Sequence, residues 1–169
     1  MPGDKPLPQP CCPEPFRIRD LVAMAHVADV DRSLEFYSLL GFTCDSRFSN
    51  SDGSTNYAAI SSGHARLMLV RASGPIDPAV QAVLFYLYSP DVHGLRRHLL
   101  EQGLSNAGIP PGERQPGIEP PAPPRGPVLF EIRRPFYMPA GELRVHDPDG
   151  YCLLIGQLSS NPGTRSEAT

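Results

Sequence analysis

Five histidines and four cysteines are the side chains of this 169-residue sequence best suited to hold a metal ion or to move a proton. Their spacing gives no local metal motif. Cys11, Cys12, Cys44 and Cys152 include no CxxC pair, and no histidine stands at a known ligand spacing from a Cys, Asp or Glu. Reduced thiols are expected, with Cys44 and Cys152 as small packed residues of strands and Cys11 and Cys12 incidental in a proline-rich leader. His26, titratable near neutral pH, reads either as a hydrogen-bond partner for a ligand or as a satisfied histidine at a strand exit. His146 reads as structural or surface, and His64, His93 and His98 as exposed. Arg66 could grip a carboxylate or phosphate through its guanidinium fork, or pair with an acid at a sheet edge. Phe136 and Tyr137, within "RRPFYMPAGE", could stack on a planar ligand or pack beneath a neighbouring loop.

The elements that would carry these side chains follow from periodicity. "RIRDLVAMAHVA" reads as a buried strand, and "DRSLEFYSLLGF" as an amphipathic helix with Leu34, Tyr37 and Leu40 on one face. Asp31 is the expected N-cap of that helix, and Gly41 its left-handed stop. "FTCDSRF", "TNYAAIS" and "ARLMLVR" then form an antiparallel run between short polar turns. The pattern starts again with "QAVLFYLY" as a strand and "DVHGLRRHLLEQG" as a helix, followed by strands in "LSNAG", "VLFEI", "GELRVHD" and "YCLLIGQ". Two halves of similar order, roughly 17 to 72 and 80 to 158, should pack together within one domain spanning 17 to 158, because neither hides its sheet alone. The twenty-one prolines are unevenly placed, with clusters in residues 1–16, read as a disordered leader, and in 109–127, read as a long surface loop or lid; 159–169 reads as a tail.

Composition excludes little else. A formal charge of −3 gives no basic patch for nucleic acid, no apolar run is long enough to span a bilayer, and the first residues lack the apolar core of a secretory signal. A cytoplasmic protein with no nucleic-acid or membrane partner is expected.

Two motifs make the chain resemble the vicinal oxygen chelate superfamily, the glyoxalase, bleomycin-resistance and extradiol dioxygenase proteins. One is "VADVDRSLEFYSLLGF", with Asp29, Ser33, Phe36, Tyr37, Leu40, Gly41 and Phe42; the other is "RVHDPDGYCLLIGQ", with Asp147, Pro148, Asp149, Gly150 and Tyr151. The resemblance covers about residues 18 to 158 and implies an α+β fold in which two βαβββ modules pair into a curved sheet or cup. It also implies a homodimer, with modules paired within one chain or across two.

Metal-using relatives place two ligands in each module. Counting from the motifs puts those positions at Val22 and Leu154, and strand alignment puts the middle two near Met68 and Val83. None of these side chains carries an imidazole, carboxylate or thiolate, so no metal cofactor is expected. By the same resemblance the cup is lined by Val22, Met24, His26, Arg66, Met68, Val70, Val83, Phe85, Cys152 and Leu154, with Phe136 and Tyr137 near its mouth. Such an apolar pocket with few polar anchors suits a small, partly apolar ligand held by sequestration, in the manner of an antibiotic-resistance protein. Two other readings stand beside it. One is a lyase, isomerase or dioxygenase that uses a metal or His26 as acid or base. The other is a partner-binding role for the proline-rich loop.

Overall fold

The structure, a computed structural model, describes residues 20–81, 83–110 and 126–158. The proline-rich leader, most of the 109–127 loop and the tail lie outside the described residues, as do Cys11 and Cys12. The first half contains β1 (Ala23–Val27), α1 (Val30–Leu39), β2 (Thr43–Ser49), β3 (Thr55–Ser62) and β4 (Ala65–Arg71). A linker with a 3₁₀ turn at Pro78–Val80 leads to β5 (Leu84–Ser89), α2 (Val92–Glu101), β6 (Ser105–Asn106), β7 (Val128–Leu129), β8 (Glu142–His146) and β9 (Cys152–Gln157). This is the α+β arrangement expected, with two sheets ordered β1-β4-β3-β2 and β5-β9-β8-β7-β6. In each sheet the strand that precedes the helix pairs in parallel with the last strand of its half. The short pair β6–β7 extends the second sheet to five strands.

Helix α1 forms where apolar residues recur at helical spacing, and it buries Val30, Ser33, Phe36 and Tyr37 against the first sheet. Its N-cap is Asp29, whose carboxylate accepts from the Arg32 N–H at 3.1 Å, and not Asp31. Asp31 lies inside the first turn and accepts from the Thr55 hydroxyl at 2.7 Å. The chain is still extended at Asp29, as a cap requires, so the helix starts two residues earlier than expected. Gly41 ends the turn with φ +83°. Behind the helix, Phe36, Tyr37 and Phe42 stack edge to face, with centroids 5.1 and 5.7 Å apart.

The two halves share one core. Ala25, Val27, Leu67 and Leu69 of the first sheet join Leu143, Val145, Leu153 and Ile155 of the second in a single buried cluster. A polar clasp crosses the same junction. The Tyr37 hydroxyl donates to Asp147 at 3.1 Å, the Ala28 N–H donates to Asp149 at 3.2 Å, and the Tyr151 hydroxyl donates to the His26 carbonyl at 3.1 Å. The two motifs, far apart in sequence, thus meet in space as the joint between the halves.

Candidate functional site

Strand alternation decides what faces the open side of each sheet. Odd-numbered residues of β1 and β4 face the helix, and Ala25, Val27, Leu67 and Leu69 are buried there. The even-numbered set turns to the other face. The register sets Met24 beside Met68 and Ala59, His26 beside Val70 and Tyr57, and Arg66 beside Ser61. Met24 is 54% exposed, and the His26 and Arg66 side chains are also open to solvent. Arg66 pairs loosely with Asp20 at 3.7 Å, with both side chains more than half exposed, so this contact fixes little. Val22, half-buried, precedes β1.

An open groove of about 450 Å³ lies against β1, lined by Met24, His26, Ile76, Val80, Gln81 and Tyr151 among others. Tyr151 belongs to the second half, so this groove lies at the clasp. The His26 backbone is fixed there, its N–H donating to the Tyr151 hydroxyl at 3.2 Å while its side chain remains exposed.

On the second sheet three rows cross β5, β9 and β8. Leu84, Cys152 and His146 form one, Tyr86, Leu154 and Arg144 the next, and Tyr88, Gly156 and Glu142 the third. The strand alternation expected for β5 is therefore corrected. Phe85 faces the core, half-buried, with its ring 5.5 Å from that of Tyr151. Val83 lies just before the strand and is exposed. The open face belongs to Leu84, Tyr86 and Tyr88, all at least 41% exposed. The physical reason is the parallel register with β9, which sets Tyr86 and not Phe85 opposite Leu154.

Among the polar residues of this face, Tyr86, Glu142 and Arg144 were not singled out from the sequence. Glu142 is 8% exposed, and its carboxylate accepts from the Tyr86 hydroxyl at 2.7 Å and from the Tyr137 hydroxyl at 3.4 Å. Burial and the neighbouring Glu142 charge hold the Tyr86 phenol well above its ordinary range. Arg144 donates through Nε to the Cys152 sulfur at 3.1 Å. Burial pushes the Cys152 thiol up despite that guanidinium. His146 stacks edge-on against Phe130 at 5.1 Å, and burial, with Arg144 nearby, lowers its pKa. The signal for these residues was present in "GELRVHD", where Glu142, Arg144 and His146 alternate with Leu143 and Val145.

The segment between β7 and β8 reaches over this face. A Cβ at Gly156 would meet the Met138 methyl carbon at 2.8 Å and the Tyr86 oxygen at 3.2 Å, so the missing side chain leaves room for both. Tyr137 is tied to Glu142, while Phe136 is 95% exposed, with its ring edge-on to Tyr137. Cys44 is exposed on β2 rather than packed, because every residue of that edge strand is open to solvent. His64, His93 and His98 are exposed as expected.

Val22, Met68, Val83 and Leu154, the positions that the resemblance gives for the metal ligands, present no imidazole, carboxylate or thiolate. Among the described residues no three His, Cys, Asp or Glu side chains come together in a way that could hold one. These residues do not fit the family's metal centre. Each sheet leaves the face away from the core partly open to solvent, with Met24 on one and Leu84, Tyr86 and Tyr88 on the other.

This fold defines a class. Residues 21–153 match the Glyoxalase/Bleomycin resistance protein/Dioxygenase superfamily, and the chain belongs to it. Among solved structures it is similar to a bleomycin-binding protein complexed with bleomycin, at 18% identity over 84% of this chain and all of the other, with a TM-score of 0.58. A bleomycin resistance determinant encoded on the transposon Tn5 is 17% identical over 83% of this chain and 98% of that one, with a TM-score of 0.57. The bleomycin-binding protein of Streptomyces verticillus, complexed with copper(II)-bleomycin, is 19% identical over 85% and 99%, with a TM-score of 0.55. At these identities the likeness establishes the fold. No curated protein matches the chain.

Proposed function

We propose that this chain binds a small, partly apolar molecule in its cup and sequesters it unchanged. One observation carries the reading. The open face of the second sheet offers the apolar bodies of Leu84, Tyr86, Tyr88 and Leu154 beside the polar anchors Glu142 and Arg144, a composition typical of ligand sites. Structural neighbours that bind bleomycin in the same fold support it and make bleomycin the first ligand to try. The ligand is held without a metal ion, a reading supported by the lack of an imidazole, carboxylate or thiolate at Val22, Met68, Val83 and Leu154.

The working unit is a homodimer. Two half-cups left open by one chain would be completed if a second copy laid its second sheet opposite the first sheet, which would cover Met24, Tyr86 and Tyr88. The compartment is the reducing cytoplasm, in keeping with Cys44 and Cys152 as free thiols. Nucleic acid is no partner of a chain with formal charge −3.

The test is a thermal-shift screen of metal-free protein against bleomycin and planar aromatic compounds, with mass spectrometry of each hit after long incubation. The expected result is a saturable rise in Tm with the compound recovered intact. Conversion of a hit to a new product would refute sequestration.

A further inference from the structure

We propose that Met138, seated over Gly156, sets the length of ligand that the second sheet's open face accepts by closing one end of it. This rests on the reading that the cup holds a small molecule, and it names the shape of that molecule: the part lying on the sheet is compact.

Residues 134–141 form a folded strap before β8. Its base is the Arg133–Glu142 bridge, in which the N–H of each residue donates to the carbonyl of the other at 2.9 and 2.8 Å. Within the strap the Met138 N–H donates to the Pro135 carbonyl at 2.9 Å, and the Gly141 N–H donates to the Met138 carbonyl at 3.1 Å. The Tyr137 hydroxyl adds a tie to the Glu142 carboxylate at 3.4 Å. So folded, the strap delivers Met138 to β9.

The place it reaches is a notch without a side chain. Gly156 is not among the glycines with positive φ, so its backbone would accept any residue. A glycine inside a strand packs nothing of its own and marks a point where another group comes close. Here a Cβ would lie 2.8 Å from the Met138 methyl carbon, 3.3 Å from its sulfur and 3.2 Å from the Tyr86 oxygen. Gly156 is buried and Met138 half-buried. An unbranched thioether suits such a notch because it bends to fill an irregular gap.

The rows show what this contact closes. Gly156 is level with Tyr88 and Glu142, and Glu142 is itself only 8% exposed, so both central strands are covered in that row. In the next row Leu154 is half-buried beside Tyr86, and Leu84 in the row beyond is 56% exposed. Neighbouring rows, two residues apart along a strand, are separated by roughly 7 Å. A ligand lying along the strands spans the rows of Leu84 and Leu154 and then meets Met138.

Two rod-shaped probes test this by fluorescence titration of the full chain: 4-phenylphenol, with two rings, and its three-ring homologue 4-hydroxy-p-terphenyl. The wild type should bind the two-ring probe about tenfold tighter, the reverse of the order that burial of an extra ring alone would give. Met138→Ala should lower that ratio by about fivefold or more. Gly156→Ala, which pushes Met138 out of the notch, should shift it in the same direction, and Met138→Leu, close to Met in volume, should keep it near the wild-type value. A wild type that prefers the three-ring probe, or a ratio unchanged in both alanine variants, overturns the role of Met138 and leaves the cup reading intact. Binding of neither probe, or binding that Leu154→Arg leaves unchanged, overturns both.

Discussion

Asp147 is 1% exposed, yet it is a carboxylate. It accepts from the N–H groups of Asp149 and Tyr151 at 2.9 and 2.8 Å, and from the Tyr37 hydroxyl. Burial outweighs these bonds and raises its pKa to about 6. A folded-state value above the unfolded one means that Asp147 favours folding fully below its ordinary value and loses that contribution as pH rises through about 6. His146, lowered by burial, acts in the opposite sense and costs stability as pH falls. Chemical denaturation of wild type and Asp147→Asn across pH 4 to 7 separates the two. Relative to the variant, the wild type should lose on the order of 2 to 3 kcal/mol between about pH 4 and 7. Parallel pH profiles would show that Asp147 does not titrate as described. The sequence located Asp147 through its turn motif, but its partner Tyr37 follows only from the fold. The same holds for Glu142, whose role depends on hydroxyls contributed by Tyr86 and Tyr137.

At the scale of elements, the turn between β8 and β9 is held against the linker that joins the halves. Gly150 has φ +86°, and a Cβ there would come within 2.6 to 2.7 Å of Pro78 atoms, backbone included. Gly53, with φ +83°, has nothing within 4 Å. Gly53→Ala should cost only the left-handed strain, about 1 kcal/mol, whereas Gly150→Ala should cost clearly more because the linker must move as well. Equal losses in denaturant melts would mean that the linker yields freely. Strands and helices were largely legible, since helical spacing in α1 and turn residues between strands are local signals. The face of β5 was not. "VLFYLY" is apolar or aromatic at every position, so alternation within it carries no direction, and only the pairing of Tyr86 with Leu154 decides which side chains face the cup. The start of α1 was missed for a similar reason: Asp29 and Asp31 can both cap, and the choice depends on where the chain leaves β1.

For the whole molecule, the proposed homodimer would cover the open faces of the two sheets with a second copy. Light scattering at micromolar concentration should give twice the mass of 18.4 kDa. A charge placed by Leu154→Arg, at the middle row of the second sheet, should weaken ligand binding at least tenfold while leaving the buried core untouched. A monomer that still binds ligand tightly would show that one half-cup is sufficient. The family and its paired modules were readable from two motifs, because those motifs build the joint between the halves. The polar chemistry of the cup was less so, since it is assembled from β5, β8 and the segment before β8.

In the proposed function the cup binds a small molecule without a metal ion. Its most direct test is calorimetric titration with bleomycin, and with any stronger compound from the thermal-shift screen, before and after exhaustive treatment of the protein with a chelator. Saturable binding of one ligand per cup is expected, with the same affinity in both titrations and a large loss in the Leu154→Arg variant. Binding that disappears with the chelator and returns on adding zinc, nickel, manganese or iron would contradict it.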